Sequence, residues 1–315
     1  MIEEHKDHVH PVAGAIEPTQ RGLAFALALT AAVLVAEVAG GVWTHSLALL
    51  SDAAHVFTDL ISLFLSFGAL LISARPVSEE RTFGWHRAEV LAALLNGILL
   101  LGISAFLLFE AYARLHHPVP VRLEGMLVIA VAGLAANGFI ALRLRGHAHH
   151  DINLRSAYLH VIADFAGSVG VVVAALIMMP TGWYIADPIL SIAIALAVFV
   201  GSGRLLRDSI HILLEGVPRD VDLNEVARTI RAVPGVDDIH DLHIWTICSN
   251  LLALNVHITV GDRSAAARDE IVKAVNDELR LHYRIVETTI QSEREPCRTS
   301  ALIHLVPHQE DMDRY

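Results

Sequence analysis

Charge is what this chain of 315 residues has least of: Asp, Glu, Lys and Arg together make up 18% of it. An ordinary soluble domain is nearer a quarter charged. With 54% hydrophobic residues beside it, the shortfall argues against a soluble globular protein and for a membrane protein. Positive charge is the scarcer sign, 23 Lys and Arg against 34 Asp and Glu for a net charge of -11, which excludes nucleic acid as a partner. Cysteine is nearly missing. Cys248 and Cys297 are the two in the chain, too few for a disulfide framework and consistent with a reducing compartment around that end. No G-x-x-x-x-G-K-[ST] loop occurs, so any drive by ATP would need another subunit. No H-E-x-x-H string occurs either, which removes the common zinc-protease chemistry. The first twenty residues are acidic and lack the basic start and short apolar core of a cleavable signal peptide.

What the chain does have is long apolar runs and 19 histidines. Six runs, at about 21–43, 46–74, 87–114, 122–145, 152–179 and 183–214, are each long enough for the ~20 residues of a spanning helix. The turn at Trp43-Thr-His45 is so short that the first two form a tight hairpin. Asp187-Pro188 reads as a cap and first-turn proline opening the sixth, a structural role. Basic residues alternate between loops: Arg21, then Arg75, Arg81 and Arg87, then Arg143, Arg145 and Arg155, then Arg204, Arg207 and Arg219 fall on one side. Arg114 and Arg122 alone fall on the other. The positive-inside rule then puts both termini in the cytoplasm.

After Pro218 the pattern turns soluble. Helix Asp222–Ala232, strands Val236–Ile247 and Leu251–Val260, helix Ser264–His282 and strand Ile285–Gln291 make a small α+β domain. The divisions expected are a His-containing tail at 1–20, a six-helix transmembrane domain at 21–216, a cytoplasmic α+β domain at 217–293 and a second tail at 294–315.

One spacing occurs twice inside the apolar runs. His55 and Asp59 lie four residues apart, as do His160 and Asp164, and each pair shares a helix face. Two imidazoles and two carboxylates are a ligand set that Zn²⁺ takes in a tetrahedron. A single polar residue in a span is a fair candidate for tying helices together, and Glu37, Asn96 and Asn137 are read that way. Two matched pairs in different spans point instead to a metal pathway. Asp52, three residues before His55, is either a supporting group or part of the entry path.

Ser46-Leu-Ala-Leu-Leu-Ser-Asp-Ala-Ala-His-Val-Phe-Thr-Asp59, Arg81-Thr-Phe-Gly-Trp-His-Arg-Ala-Glu89, His160-Val-Ile-Ala-Asp164 and His240-Asp-Leu-His-Ile-Trp245 together resemble the cation diffusion facilitator family of zinc transporters, over about residues 20–295. The resemblance implies six transmembrane helices with a metallochaperone-like, ferredoxin-like cytoplasmic domain, and a homodimer in a bacterial inner (plasma) membrane. It implies efflux of cytoplasmic Zn²⁺, with Cd²⁺ and Co²⁺ as relatives, in exchange for protons. By motif position His55, Asp59, His160 and Asp164 are the transport ligands, and the His at 55, where manganese or iron members carry Asp, favours zinc, cadmium or cobalt. Zinc takes neutral imidazole and ionised carboxylate, so metal and proton compete for one site, as an antiporter requires.

The chain departs from the family pattern at Ser78 and Trp85, where some members hold a further metal site, and at Gln291 and Glu293, where some carry His and Asp. A cytoplasmic site therefore rests on His240, His257 and Glu293. The two histidines face each other directly if the hairpin loop has two or four residues and lie on opposite faces if it has three. His243 is left unassigned, because a bulge would change its face. His147-Ala-His-His150 is either a hand-over point for His160 or a solvated loop, and the N-terminal His5, His8 and His10 are either a loose metal trap or plain tail. His211 and Glu215 read as an interfacial i,i+4 pair. The rival readings are an intramembrane metalloenzyme, for which four complete ligands leave no place for a catalytic water, and a membrane metal sensor without flux.

Overall fold

The computed structural model describes residues 17–145, 152–248, 251–295 and 302, with side chains throughout except at 17–26, 66, 70, 143–145, 152–157, 159 and 160. Six long helices come first: α1 (Glu17–Thr44), α2 (Leu47–Ser73), α3 (Ala88–His116), α4 (Leu123–Arg145), α5 (Ile152–Thr181) and α6 (Ala186–Leu213). All six contain a stretch long and apolar enough to cross a membrane. They leave Phe64, Phe67, Phe106, Phe109, Val128 and Leu142 exposed, which is how a helix facing hydrocarbon is built. Two compact units divide the chain, residues 1–62 with 99–202 and residues 63–98 with 203–315.

In the first unit the helices meet on small residues. Ala48, Ala130, Ala174, Ala175 and Ala186 join Leu49, Met126, Val171 and Met178 in one buried cluster, and alanine lets backbones approach closely where no hydrophobic force separates helix from lipid. Gly125 of α4 takes the indole of Trp43: an added Cβ would come within 2.5 Å of the ring. The α1–α2 hairpin turns at His45 in the left-handed region (φ 61), which reverses the chain in two residues.

Asp187 has the structural role expected of it, but for a different helix. It lies within the first turn of α6, and its carboxylate caps α2. Oδ1 accepts from the Ser46 hydroxyl at 2.6 Å and the Ala48 N–H at 3.1 Å, and Oδ2 accepts from the Leu47 N–H at 2.7 Å. Ser46 in turn accepts the Leu49 N–H at 3.2 Å. The donors of the first turn of α2, buried and cut off from water, are thereby answered.

The second unit contains α7 (Leu223–Ala232), β1 (Asp238–Cys248), β2 (Leu251–Thr259), α8 (Ala265–Tyr283) and β3 (Glu287–Glu293). Asp222 caps α7 by accepting from the N–H groups of Asn224 and Glu225, and Ser264 caps α8 by accepting from Ala267. The sheet runs β1-β2-β3, with β1 antiparallel and β3 parallel to β2. α8 forms the crossover that a parallel pair requires. Ile239, Ile244, Leu254, Val256 and Ile258 of the sheet pack with Val226 and Ile230 of α7 and Val275 and Leu279 of α8, burying one face. Elsewhere in this unit Glu215, in the left-handed region (φ 58), pairs with Arg87 at 2.8 Å. His211 Nε2 meets the Val217 carbonyl at 2.8 Å. The expected His211–Glu215 pair is therefore not formed: the helix ends at Leu213, and beyond that point i,i+4 spacing no longer puts side chains together.

Candidate metal sites

Helical spacing puts His55 and Asp59 one turn apart on α2, with Nδ1 3.9 Å from the Asp59 Oδ2. The other ring nitrogen, Nε2, lies 3.4 Å from Oδ1 of Asp164 on α5. The imidazole thus stands between two carboxylates from two helices, and His55, Asp59 and Asp164 each offer a ligand atom within 4.8 Å of the others. His55 and Asp59 are half-buried and Asp164 is buried. His160 belongs to α5, one turn before Asp164, but its side chain lies outside the described residues. Of the four intramembrane ligands read from the sequence, three are brought together. Asp52 is not among them: its Oδ2 accepts from the Ser168 hydroxyl at 3.2 Å, and Asn137 donates to the same oxygen of Ser168 at 3.3 Å.

On the sheet face opposite α7 and α8, His240 is paired directly with His257. β1 ends at Cys248, which pairs with Leu251 of β2, and two one-residue slips of the ladder, between Thr246 and Cys248 and between His240 and His243, then bring His240 opposite His257 rather than Thr259. Their rings meet edge to face with centroids 5.1 Å apart. Glu293 closes the group, with Oε2 3.3 Å from His240 Nε2 and Oε1 3.1 Å from His257 Nδ1. Gln291, a poor ligand for zinc, donates its Nε2 to Glu293 Oε1 at 2.7 Å. It holds the carboxylate in place.

Two neighbours were not assigned from the sequence. Asp241 lies in the left-handed region (φ 52) where the register slips by one between His240↔His257 and His243↔Asn255. That extra residue is a β-bulge. Because Asn255 and His257 share a face, the bulge brings His243 to the side of His240. Asp241 Oδ1 lies 3.1 Å from His243 Nε2, and its Oδ2 is 3.8 Å from His257 Nε2. Imidazoles and carboxylates thus alternate from His243 through Asp241, His257 and Glu293 to His240. The histidine string at 147–150, the tail histidines His5, His8, His10, His304 and His308, and Cys297 lie outside the described residues.

Comparison with known proteins gives these geometries a context. A model of the cation efflux transmembrane domain matches residues 23–214, and one of the cation efflux protein cytoplasmic domain matches residues 218–295. The chain is 43% identical over 290 residues to the metal cation efflux system protein CzcD of Cupriavidus metallidurans, covering 92% of this chain and 90% of that one. It is 41% identical over 265 residues to the cadmium, cobalt and zinc/H(+)-K(+) antiporter of Bacillus subtilis, covering 83% and 85%. It is also 41% identical over 281 residues to the zinc transporter ZitB of Escherichia coli, covering 88% of each.

Proposed function

Because the chain belongs to the cation efflux family of integral, multi-pass membrane transporters of metal cations, we propose that it exports Zn²⁺ from the cytoplasm in exchange for protons. Cd²⁺ and Co²⁺ are alternative cargo. It is not an enzyme, so the metalloprotease reading falls. The observation that carries the proposal is the placing of His55, Asp59 and Asp164 within ligand distance on two helices, with His160 one turn from Asp164 as the fourth donor. Imidazole nitrogen beside carboxylate oxygen suits zinc and its neighbours better than an all-oxygen set would. His55 must give up any proton to bind metal, so a proton-rich exit side favours release and a proton-poor side favours loading. The B. subtilis relative is named as an antiporter with H⁺ and K⁺, which supports the exchange.

Residues 21–216 form the transport domain in this reading and residues 217–293 a cytoplasmic one. The cytoplasmic domain binds regulatory zinc through His240, His257 and Glu293 and joins two copies of the chain as a homodimer. In this reading the protein sits in a bacterial inner membrane with both termini in the cytoplasm, an orientation that the alternation of arginines supports. Reconstituted vesicles test the proposal: zinc should enter down its gradient with protons moving the opposite way. His55→Ala, Asp59→Ala, His160→Ala and Asp164→Ala should each abolish both movements while leaving the protein inserted. Near-normal flux in any two of these variants, or zinc flux with no proton movement at clamped potential, would refute it.

A further inference from the structure

The apolar stretch of α1 carries one acidic side chain, Glu37, which the metal cluster does not use. Glu37 is 1% exposed, and its Oε2 has no hydrogen-bond partner among the described residues. Its Oε1 lies over Gly133 of α4, where an added Cβ would come within 2.7 Å. Asp52 of α2 is housed in the same manner. It is 3% exposed, and its Oδ1 lies 2.8 Å from where a Cβ at Gly167 of α5 would stand. Each carboxylate fills a space that a glycine on a facing helix leaves open. Around them are Ser168 and Asn137, both buried and linked to Asp52 by the hydrogen bonds described above.

The charges acting on Glu37 are Asp52 from α2 and Asp164 from α5, both of its own sign. Those acting on Asp52 are His55 of its own helix and Asp164. α4 contributes Gly133 and the neutral Asn137. A carboxylate held in a low-dielectric interior beside charges of its own sign is unfavourable when ionised, and binding a proton relieves that cost.

We propose that Glu37, coupled to Asp52, carries a proton that is exchanged for the metal: the pair holds it while the His55–Asp59–Asp164 cluster is free of metal and gives it up when a divalent cation loads. The arriving cation neutralises Asp164 and places positive charge near both carboxylates. The O–H bond of the protonated acid then breaks, the electron pair stays on the carboxylate and the proton leaves to water. The proposal deepens the antiport reading and depends on it only for the direction in which the proton travels.

The test begins with the full-length protein in detergent, titrated with zinc in weakly buffered solution containing a pH dye. Glu37→Gln keeps the shape of the side chain and has no proton to release. The variant should bind the same number of zinc ions as the parent and release about one proton fewer per chain; an unchanged proton count overturns the proposal. Should the variant fail to fold or to bind zinc, the parent protein decides. Its infrared difference spectrum on zinc loading should lose a carboxylic-acid carbonyl band that moves with isotope-labelled glutamate, because the neighbouring acids of the spans, Asp52, Asp59 and Asp164, are aspartates. The absence of such a glutamate band overturns the proposal. Proton release in detergent that is intact alongside vesicles showing no counterflow would refute antiport and leave Glu37 as the proton site. Intact counterflow with unchanged release in Glu37→Gln would do the reverse.

Discussion

Replacing Asp187 tests how much of the transmembrane helix packing hangs on one carboxylate. In Asp187→Ala the buried N–H groups of Leu47 and Ala48, now bound at 2.7 and 3.1 Å, lose their acceptor, and so does the Ser46 hydroxyl at 2.6 Å. An orphaned buried donor costs about 1–3 kcal/mol. The hydroxyl can turn to another acceptor but the two amides cannot, so a loss of about 2–6 kcal/mol is expected. Asp187→Asn keeps one carbonyl oxygen and should lose roughly half as much. Ser46→Ala removes an ordinary N-cap and should cost about 1 kcal/mol. Trp43 at the end of α1 and Trp183 just before α6 lie close to this junction in the chain and serve as fluorescence reporters. Thermal unfolding of the metal-free protein in detergent should rank the parent first, then Ser46→Ala, Asp187→Asn and Asp187→Ala. An Asp187→Ala protein that melts with the parent, or an Asn variant as weak as the Ala one, would refute the capping argument.

Further outcomes follow from the two metal clusters and from Cys248. His55→Asp should admit harder ions such as Mn²⁺, since it exchanges imidazole for oxygen; an unchanged metal profile in a variant that still transports would remove His55 from the ligand set. His257→Ala or Glu293→Ala should lower by about one the zinc ions bound per chain at equilibrium, and Gln291→Ala should weaken that same site roughly tenfold by freeing Glu293. Equal zinc content in all three would count against the cytoplasmic site. Burial, and then the charge of Glu89, push the Cys248 thiol up from its ordinary pKa. A raised pKa means less thiolate at neutral pH, so alkylation of Cys248 should lag in the native protein and reach the rate of a free cysteine only on unfolding. Mass spectrometry of the labelled peptide reads this directly, and equal rates in both states would contradict it.

Much of the architecture could be read from the sequence because it is locally encoded. The limits expected for the six spans fall within a few residues of α1 to α6, since a run of apolar residues states its own length. Asp222 and Ser264 stand immediately before α7 and α8 as capping residues do. The facing of His240 and His257 was tied to the length of the loop, but loop length alone does not set it: Cys248 pairs with Leu251, and two slips of the ladder carry His240 from Thr259 to His257. What escaped depends on distant partners. That Asp187 caps α2 involves residues about 140 positions away in the chain, and no local pattern announces it. Glu37 is read as an interhelical tie because it stands alone in its span; that its carboxylate lies over Gly133 could not be seen, since that residue's importance lies in having no side chain. Asp241 was missed, and His243 left unassigned, for a third reason: strand alternation assumes an unbroken ladder, and a bulge is set by the pairing of two strands.

The bulge at Asp241 separates two phases of β1, and a second slip between Thr246 and Cys248 adds a third near its end. Counted by simple alternation, His240 and His243 belong to opposite faces; only the additional residue between the paired positions His240↔His257 and His243↔Asn255 reconciles them. Loss of a single codon there would make the ladder even from Ile239 to Thr246 and force a choice. Either the half bearing Ile239 and His240 turns over, exposing an isoleucine and driving an imidazole into the apolar layer, or the half bearing Ile244 does so. The number of residues between Ile239 and Ile244 is therefore under a stricter constraint than the identity of those residues. Descendants of this gene can exchange side chains in that interval far more freely than they can change its length.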